Sequence, residues 1–527
     1  MGKRASSPIR AVFSNCSPNG TASRSCTEPR GAVATRARRR RGPTLVARTG
    51  HVARIACVAV SRLAAAATSP FPRRRAPSSM TSLPKRPQRR QLHLNVNILH
   101  SGFAPSAWRI DDADPRAFVD VSHYVRIARI AEAAKFDAVF LADNASIVDQ
   151  IDFRPITALE STIVLASIAA ATARIGLIGT ASTSYNEPFN LARRFASLDH
   201  VSGGRAGWNV VTTADAGSAR NFGLDAAPDH AARYARAAEF VDVVKALWDS
   251  WDDDALVGDK ASGRFVDTAK VRPIAHRGTH FRVHGPLNLP RPPQGHPVLV
   301  QAGGSADGRA FAARHAQAVF SASQSFDEAL AFARALKAAA AGCGRGDIMV
   351  LPGLTTIVGA TEADALRRRD ELVDLIPLRY GLNRLAGTLG VPVERLAPDA
   401  PLPDDLALPD GGNGNHTFFH ATLARARRRG YTARELIRAM AGGGGHRVIA
   451  GTPEQIADDI ARWFGAGAAD GFNLMPDVLP GGLRDFVDGV VPILQRRGLF
   501  RTEYEGTTLR DHFGLPRPAK PGACERA

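Results

Sequence analysis

The chain has 527 residues, 44% hydrophobic and 22% charged, with a formal net charge of +18. That excess sits in the first 90 residues, which hold 20 Lys/Arg against the single acid Glu28, and the remaining residues are near neutrality. A membrane span is excluded because no apolar run approaches the ~18 residues it needs, a disulfide scaffold because the five cysteines are scattered with no CxxC, and duplex binding by the main body because it lacks a basic excess.

Residues 1–90 are rich in Arg, Ala, Ser and Pro, with self-repelling runs at Arg38 to Arg41 and Arg73 to Arg75. Three readings stay open: a targeting peptide, a nucleic-acid-binding arm, or a disordered extension upstream of a true start at Met80. Leu92 to Leu99 alternates and reads as the first strand. Val121 to Lys135 is an amphipathic helix, and Ala138 to Ala142 the second strand, ending at Asp143-Asn144. Pro155 to Thr172 is a helix with Glu160 near its start.

Ile175 to Ser182 has the β-branched, glycine-punctuated look of a strand buried on both faces. Pro188 opens a helix striped by Leu191, Phe195 and Leu198; Ser202-Gly203-Gly204 stops it, and Arg205 to Thr212 is the fourth strand. Ala231 to Trp248 is a helix, and Trp251 to Gly295, without clear period, an insertion. Pro297 to Ala302, Ala318 to Ala322 and Ile348 to Gly359 are strands five to seven, followed by helices that begin after the Ser305 cap, at Phe326 and at Glu362. Residues 378–450 have weak period, several prolines and two glycine clusters, as in a structureless lid. Pro453 to Phe464 is a helix, Gly471 to Met475 the last strand and Gly482 to Gln495 the last helix. Eight strand-helix alternations predict an α/β fold: a TIM-like (β/α)8 barrel over residues 91–515, with insertions after strands four and seven and a tail at 516–527.

In such a barrel the C-terminal strand ends gather polar groups on one face. Asp143, Thr180, Asn209 and the turn Gln301-Ala302-Gly303-Gly304-Ser305 fall there. The turn lets backbone approach a ligand and presents N–H groups at a helix start, a site for an anion, although a plain turn with a serine cap would look the same. His230 and Tyr234, four apart, share a helix face where they either bind a ligand or serve as a helix-start His and a core Tyr. Asp143 alone reads equally as a cap for the next loop. His416, His420 and His446 read as solvated residues of the lid, and no histidines have metal-ligand spacing. Gly342 to Gly346 is not a dinucleotide fingerprint, since no strand precedes it.

The segment LARRFASLDHVSGGRAGWNVVT, Leu191 to Thr212, closely resembles that of bacterial-luciferase-like flavin monooxygenases. The branch it is most similar to contains the nitrilotriacetate, dibenzothiophene-sulfone and long-chain alkane monooxygenases. The resemblance covers roughly residues 92–515. It implies reduced FMN delivered by a separate NAD(P)H-dependent flavin reductase, O2 as co-substrate and a small organic substrate. It further implies a cytoplasmic homodimer or homotetramer. By resemblance, Asp143, Thr180 and Asn209 approach the flavin, while His230, Tyr234, Gly304 and Ser305 bind its phosphate and ribityl oxygens. No catalytic residue is assigned. Two alternatives remain on the same fold: a deazaflavin-dependent oxidoreductase transferring hydride without oxygen, and a flavin-binding relative without activity.

Overall fold

The computed structural model describes residues 90–147, 151–157, 159–406, 416–440 and 445–520. The readings offered for residues 1–89, and the glycine clusters at 411–412 and 442–444, lie outside them. Eight parallel strands are β1 (His93–Asn97), β2 (Ala138–Leu141), β3 (Gly176–Ser182), β4 (Ala206–Val211), β5 (Val298–Gln301), β6 (Ala318–Ser321), β7 (Met349–Val358) and β8 (Gly471–Leu474). Each pairs with its neighbours in chain order, and β8 returns to β1 through His93↔Gly471 and Asn95↔Asn473, closing the barrel. Barrel helices are α1 (Val121–Ala133), α2 (Ser161–Ala171), α3 (Pro188–Ser202), α4 (His230–Trp248), α5 (Ala306–His315), α6 (Phe326–Gly342) and α7 (Glu362–Asp374).

The strand pleat sorts residues between two environments. On β1, Leu94 and Val96 join Ile127, Leu165, Ile168, Ile460 and Phe472 in the core under the helices. Phe140, Ile178, Val300 and Leu351 form a separate interior cluster. The N-terminal end of the barrel is plugged by Leu509, on the short helix Leu509–His512, which the sequence reading missed. A β-carbon at Gly176 would collide with the Leu509 side chain, and one at Gly207 would collide with Ile178 and crowd Leu509 at 3.1 Å, so those two strand glycines make room for the plug. Below it Asp137, fully buried, accepts from Leu94 N–H at 2.7 Å and pairs with His93 at 2.9 Å and Arg501 at 2.6 Å. Burial opposes its ionisation, but Arg501 and His93 still hold its carboxyl below the ordinary range.

The two expected insertions are present. The first carries two short antiparallel pairs, Leu256–Asp259 with Arg264–Val266 and His276–Arg277 with Arg282–Val283. Its Asp253 pairs with Arg517 at 2.5 Å, so part of the C-terminal tail is pinned against it.

The second insertion corrects the expectation of a structureless lid. It contains α8 (Leu378–Leu389), α9 (His416–Arg429), α10 (Ala433–Met440) and a ninth strand, Arg447–Gly451, parallel to the outer end of β7. Leu385, Leu389, Phe419, Leu423 and Leu436 give these helices a small core of their own. Interrupting glycines and prolines, and the arginine-rich end of α9, mask that periodicity in the sequence.

Candidate active site at the barrel mouth

The sequence-predicted residues assemble into two groups. The first joins the ends of β2, β3 and β4. Thr180 and Asn209 face each other in register. Asn209 Nδ2 donates to Thr180 Oγ1 at 2.9 Å, and Thr180 Oγ1 donates to Leu141 O at 2.8 Å. Ser161, the first residue of α2, donates its Oγ–H to Thr180 O at 2.8 Å and its N–H to Asp143 Oδ2 at 3.2 Å. Asp143, Ser161, Thr180 and Asn209 are therefore one bonded chain. Burial raises the pKa of the Asp143 carboxyl, with Ser161 N–H opposing and Glu160 adding to the rise. Asn209 Oδ1 is buried and makes no hydrogen bond, an acceptor that suits a ligand N–H.

The second group joins the units of β4 and β5. Ser305 caps α5, its Oγ accepting from Gly308 N–H at 3.1 Å. A β-carbon on Gly308 would sit 3.0 Å from Tyr234 Oη and 3.1 Å from Ser305 Oγ. Two hydroxyls on different helices thus converge over the first turn of α5, beside the backbone of Gly303 and Gly304. Hydroxyls, a glycine backbone and a helix N-terminus form the donor set a phosphate needs. His230 packs on Tyr234, ring centroids 4.8 Å apart, and its Nδ1 lies 2.9 Å from Asp307 Oδ2. Asp307 is a bridge from α5 to α4 that the sequence reading did not single out; its position in the first turn of a capped helix is the signal.

His446 requires a correction. It follows the glycine cluster and was expected to be a solvated lid residue. Instead its ring stacks on Phe320 at the end of β6, centroids 4.9 Å apart and planes 7° from parallel. A β-carbon at Gly353 on β7 would strike both His446 Nδ1 and Phe320 Cε2, so Gly353 admits this pair. Burial lowers the imidazole pKa to about 4, against a backbone contact at Ser321, leaving it neutral at pH 7. The side chains of His416 and His420 lie outside what is described.

Among the described residues no cluster of three His, Cys, Asp or Glu could hold a metal ion, and no helix is long and apolar enough to cross a membrane. A closed parallel barrel with a helix-start donor set after β5 and a polar chain across β2 to β4 is the arrangement of a barrel enzyme with its site at the C-terminal face. The chain belongs to the luciferase-like monooxygenase family, whose model matches residues 103–470. It is 45% identical to nitrilotriacetate monooxygenase component A from Aminobacter aminovorans, over 82% of this chain and 99% of that protein. It is 44% identical to N-acetyl-S-(2-succino)cysteine monooxygenase from Bacillus subtilis, over 82% of this chain and 98% of the relative. EDTA monooxygenase from Chelativorans sp. BNC1 has a similar solved structure, with a TM-score of 0.68 and 38% identity, covering 81% of this chain and 99% of that one. The chain is accordingly a flavin-dependent monooxygenase, and the deazaflavin alternative is set aside.

Proposed function

We propose that this protein is the oxygenase of a two-component system, taking reduced FMN from a separate NAD(P)H-dependent flavin reductase and using O2 to oxygenate a small organic substrate. The observation that carries the cofactor assignment is the convergence of Tyr234 Oη and Ser305 Oγ over Gly308. The residues present fit the group. Tyr234, Gly304 and Ser305 hold the phosphate, and His230, fixed by Asp307, borders it. Asn209 offers its unpaired Oδ1 to an N–H of the flavin ring, and Thr180 fixes the amide's orientation by accepting from its Nδ2.

When bound, the reduced flavin supplies the activation of oxygen; the protein supplies binding, orientation and a dry site. Asp143, with its carboxyl raised by burial, holds a proton at Oδ1 or Oδ2 more readily than an exposed aspartate and sits where it can pass one. The neutral His446 ring on Phe320 covers the interior from the side of β6 and β7, limiting water entry. The name "component A" of the Aminobacter relative supports a reductase partner.

Oligomerisation through the outer helices is part of the same proposal. Ile163 on α2 and Val201 on α3 are 68% and 65% exposed and flank one groove, which Arg193, Arg194 and Asn190 also line, a mixed face that a second copy would cover. A cytoplasmic setting fits the free thiol of Cys343.

The test is oxygen uptake by the purified chain with FMN, NADH and a generic flavin reductase. Oxygen should be consumed with release of hydrogen peroxide, and a screened substrate should suppress that release. Free reduced FMN consumes O2 at the same stoichiometry, so the readout is the fate of the oxygen: if no screened substrate lowers peroxide release below that of reductase and flavin alone, the reading is overturned.

A further inference from the structure

Lys245 lies in the last turn of α4 and His315 ends α5, at the end of the barrel opposite the mouth. Lys245 Nζ stands 3.3 Å from His315 Nδ1. An ammonium can only donate, so Nδ1 accepts and the imidazole proton sits on Nε2. His315 is 3% exposed, and its Nε2 has no hydrogen-bond partner. The ring does not take a second proton at neutral pH, because burial, with Lys245, Arg314 and Arg345 assisting, lowers its pKa to about 3. The ammonium of Lys245 therefore ends on a neutral ring rather than on a carboxylate.

Among the described residues no carboxylate pairs with Lys245. Asp242, three residues back on α4, is the acid that acts on it, and its two oxygens lie 3.8 Å from His315 Nδ1 and from Arg314 Nη2. Three guanidiniums oppose it: Arg345 after α6, Arg314 on α5 and Arg510 on the plug helix. Arg345 pairs with Asp347 at 2.8 Å. Arg510 is 5% exposed and donates to carbonyls, His296 O at 3.0 Å and Pro516 O at 3.1 Å. His296 faces the same space, bonded to Asp249 at 2.8 Å. Burial, opposed by Asp242 and assisted by the three arginines, brings the Lys245 pKa down to about 8. Lys245 is only half-buried, so a small molecule can reach it.

We propose that Lys245 is a carbon dioxide site, its Nζ adding to CO2 to form a carbamate that faces Arg314, Arg345 and Arg510. The ammonium first loses one proton to solvent. The Nζ lone pair then attacks the carbon of CO2, a C–N bond forms, and one C=O pair moves onto oxygen. A second proton leaves Nζ to solvent. One CO2 is consumed and two protons are released, with no change of oxidation state. The remaining Nζ–H still donates to His315 Nδ1. A cation among three guanidiniums becomes an anion, so repulsion turns into attraction in a half-buried space. This is why CO2 fits better than an acylating agent, which would leave the arginines facing a neutral amide. The site is independent of the oxygenase reading.

The test equilibrates the full chain with carbon-13-labelled bicarbonate at about pH 8, where a lysine lowered in this way is half deprotonated and an ordinary one is not. Carbon NMR reads the carbamate directly. In parallel, triethyloxonium traps it as an ethyl ester, and peptide mass spectrometry locates it. Wild type should show a protein-bound carbamate resonance, and the trapped ester should map to Lys245 at about tenfold or more the yield at Lys260, Lys270 or Lys520. Lys245→Arg and Lys245→Gln should both lose the resonance; the arginine variant keeps charge and stem, which separates this loss from damage to the fold. The α-amine of the chain also forms a carbamate near this pH, and its signal is told apart because it survives in both variants. Arg314→Met, at a side chain 65% exposed, removes one of the compensating charges and should lower the trapped yield about threefold. The proposal is overturned if wild type shows no resonance beyond that of Lys245→Arg, if the trapped ester is spread evenly over Lys245, Lys260, Lys270 and Lys520, or if Arg314→Met traps as much as wild type.

Discussion

The hydroxyls of Tyr234 and Ser305 lie 3.0 and 3.1 Å from a single point, the place a β-carbon on Gly308 would occupy. Tyr234 comes from the helix after β4 and Ser305 from the turn after β5, so consecutive barrel units build one donor pair. The phosphate assignment makes Gly308 a positional requirement: any larger residue fills the space between the two hydroxyls.

Ser305→Ala or Tyr234→Phe should weaken FMN binding by roughly ten- to a hundredfold, as expected for one hydrogen bond to a charged group. Riboflavin, which lacks the phosphate, should bind both variants as it binds wild type. Equal losses for riboflavin and FMN in both variants would place the phosphate elsewhere.

Thr180→Val deletes the oxygen that donates to Leu141 O and accepts from Asn209 Nδ2. Both partners are left buried without it, so stability should fall by about 1–3 kcal/mol. Asn209 also loses its orientation, so FMN affinity should fall with it. Urea unfolding and flavin titration on the same preparation check the two effects; an unchanged midpoint would refute the structural part.

Gly353→Ala places a methyl group against His446 Nδ1 and Phe320 Cε2. The strand cannot yield, since it pairs with β8 through Gly353↔Asn473, so the His446 segment should move outward. Expected outcomes are faster proteolysis near residue 446 and a larger fraction of oxygen consumed appearing as hydrogen peroxide. A variant as tightly coupled as wild type would show that His446 does not seal the site.

Burial lowers the pKa of both His100 and His315 to about 3, with Arg154 assisting at the first and Lys245 at the second. A histidine whose folded pKa is depressed contributes stability that is fully present above its unfolded value of about 6.5 and lost as pH falls towards the folded value. Stability should therefore decline between about pH 6.5 and 3, each such histidine adding roughly 1.4 kcal/mol per pH unit to the slope. His315→Gln, at a residue 3% exposed, should flatten that slope by about one proton. Denaturant midpoints at several pH values test this; parallel curves for variant and wild type would count against it.

The barrel was legible in the chain because strands buried on both faces and helices buried on one leave different periods. The stretch from Ile175 to Thr212 shows this best: the predicted strand, Pro188-opened helix and strand match β3, α3 and β4 within a residue. The chemistry at the strand ends was legible for a related reason, since a residue ending a barrel strand must face the mouth. Position places Thr180, Asn209 and Ser305 among several polar residues at the strand ends; the family resemblance, not position, singles out Thr180 and Asn209. Asp143 shows the limit of that argument: its carboxylate is bonded to the N–H of Ser161, as the capping reading held.

The sequence by itself determined the eight barrel strands, the helices that return between them and their order, and therefore the closed barrel, because these follow from local periodicity and from the rule that parallel strands need a returning helix. Only the tertiary structure decided what the second insertion does. Local pattern near His446 is glycine-rich and reads as loop; its burial depends on Phe320 and Gly353, each far away along the chain. The same holds for Arg154 and Arg384, which meet at Tyr380 across a sequence separation of 226 residues for the Arg154 bond. Charge, period and turn chemistry are properties of neighbours in sequence. Which distant side chains share a low-dielectric space, and so shift one another's charge and hydrogen bonding, is set when the barrel closes and the insertion folds over its mouth.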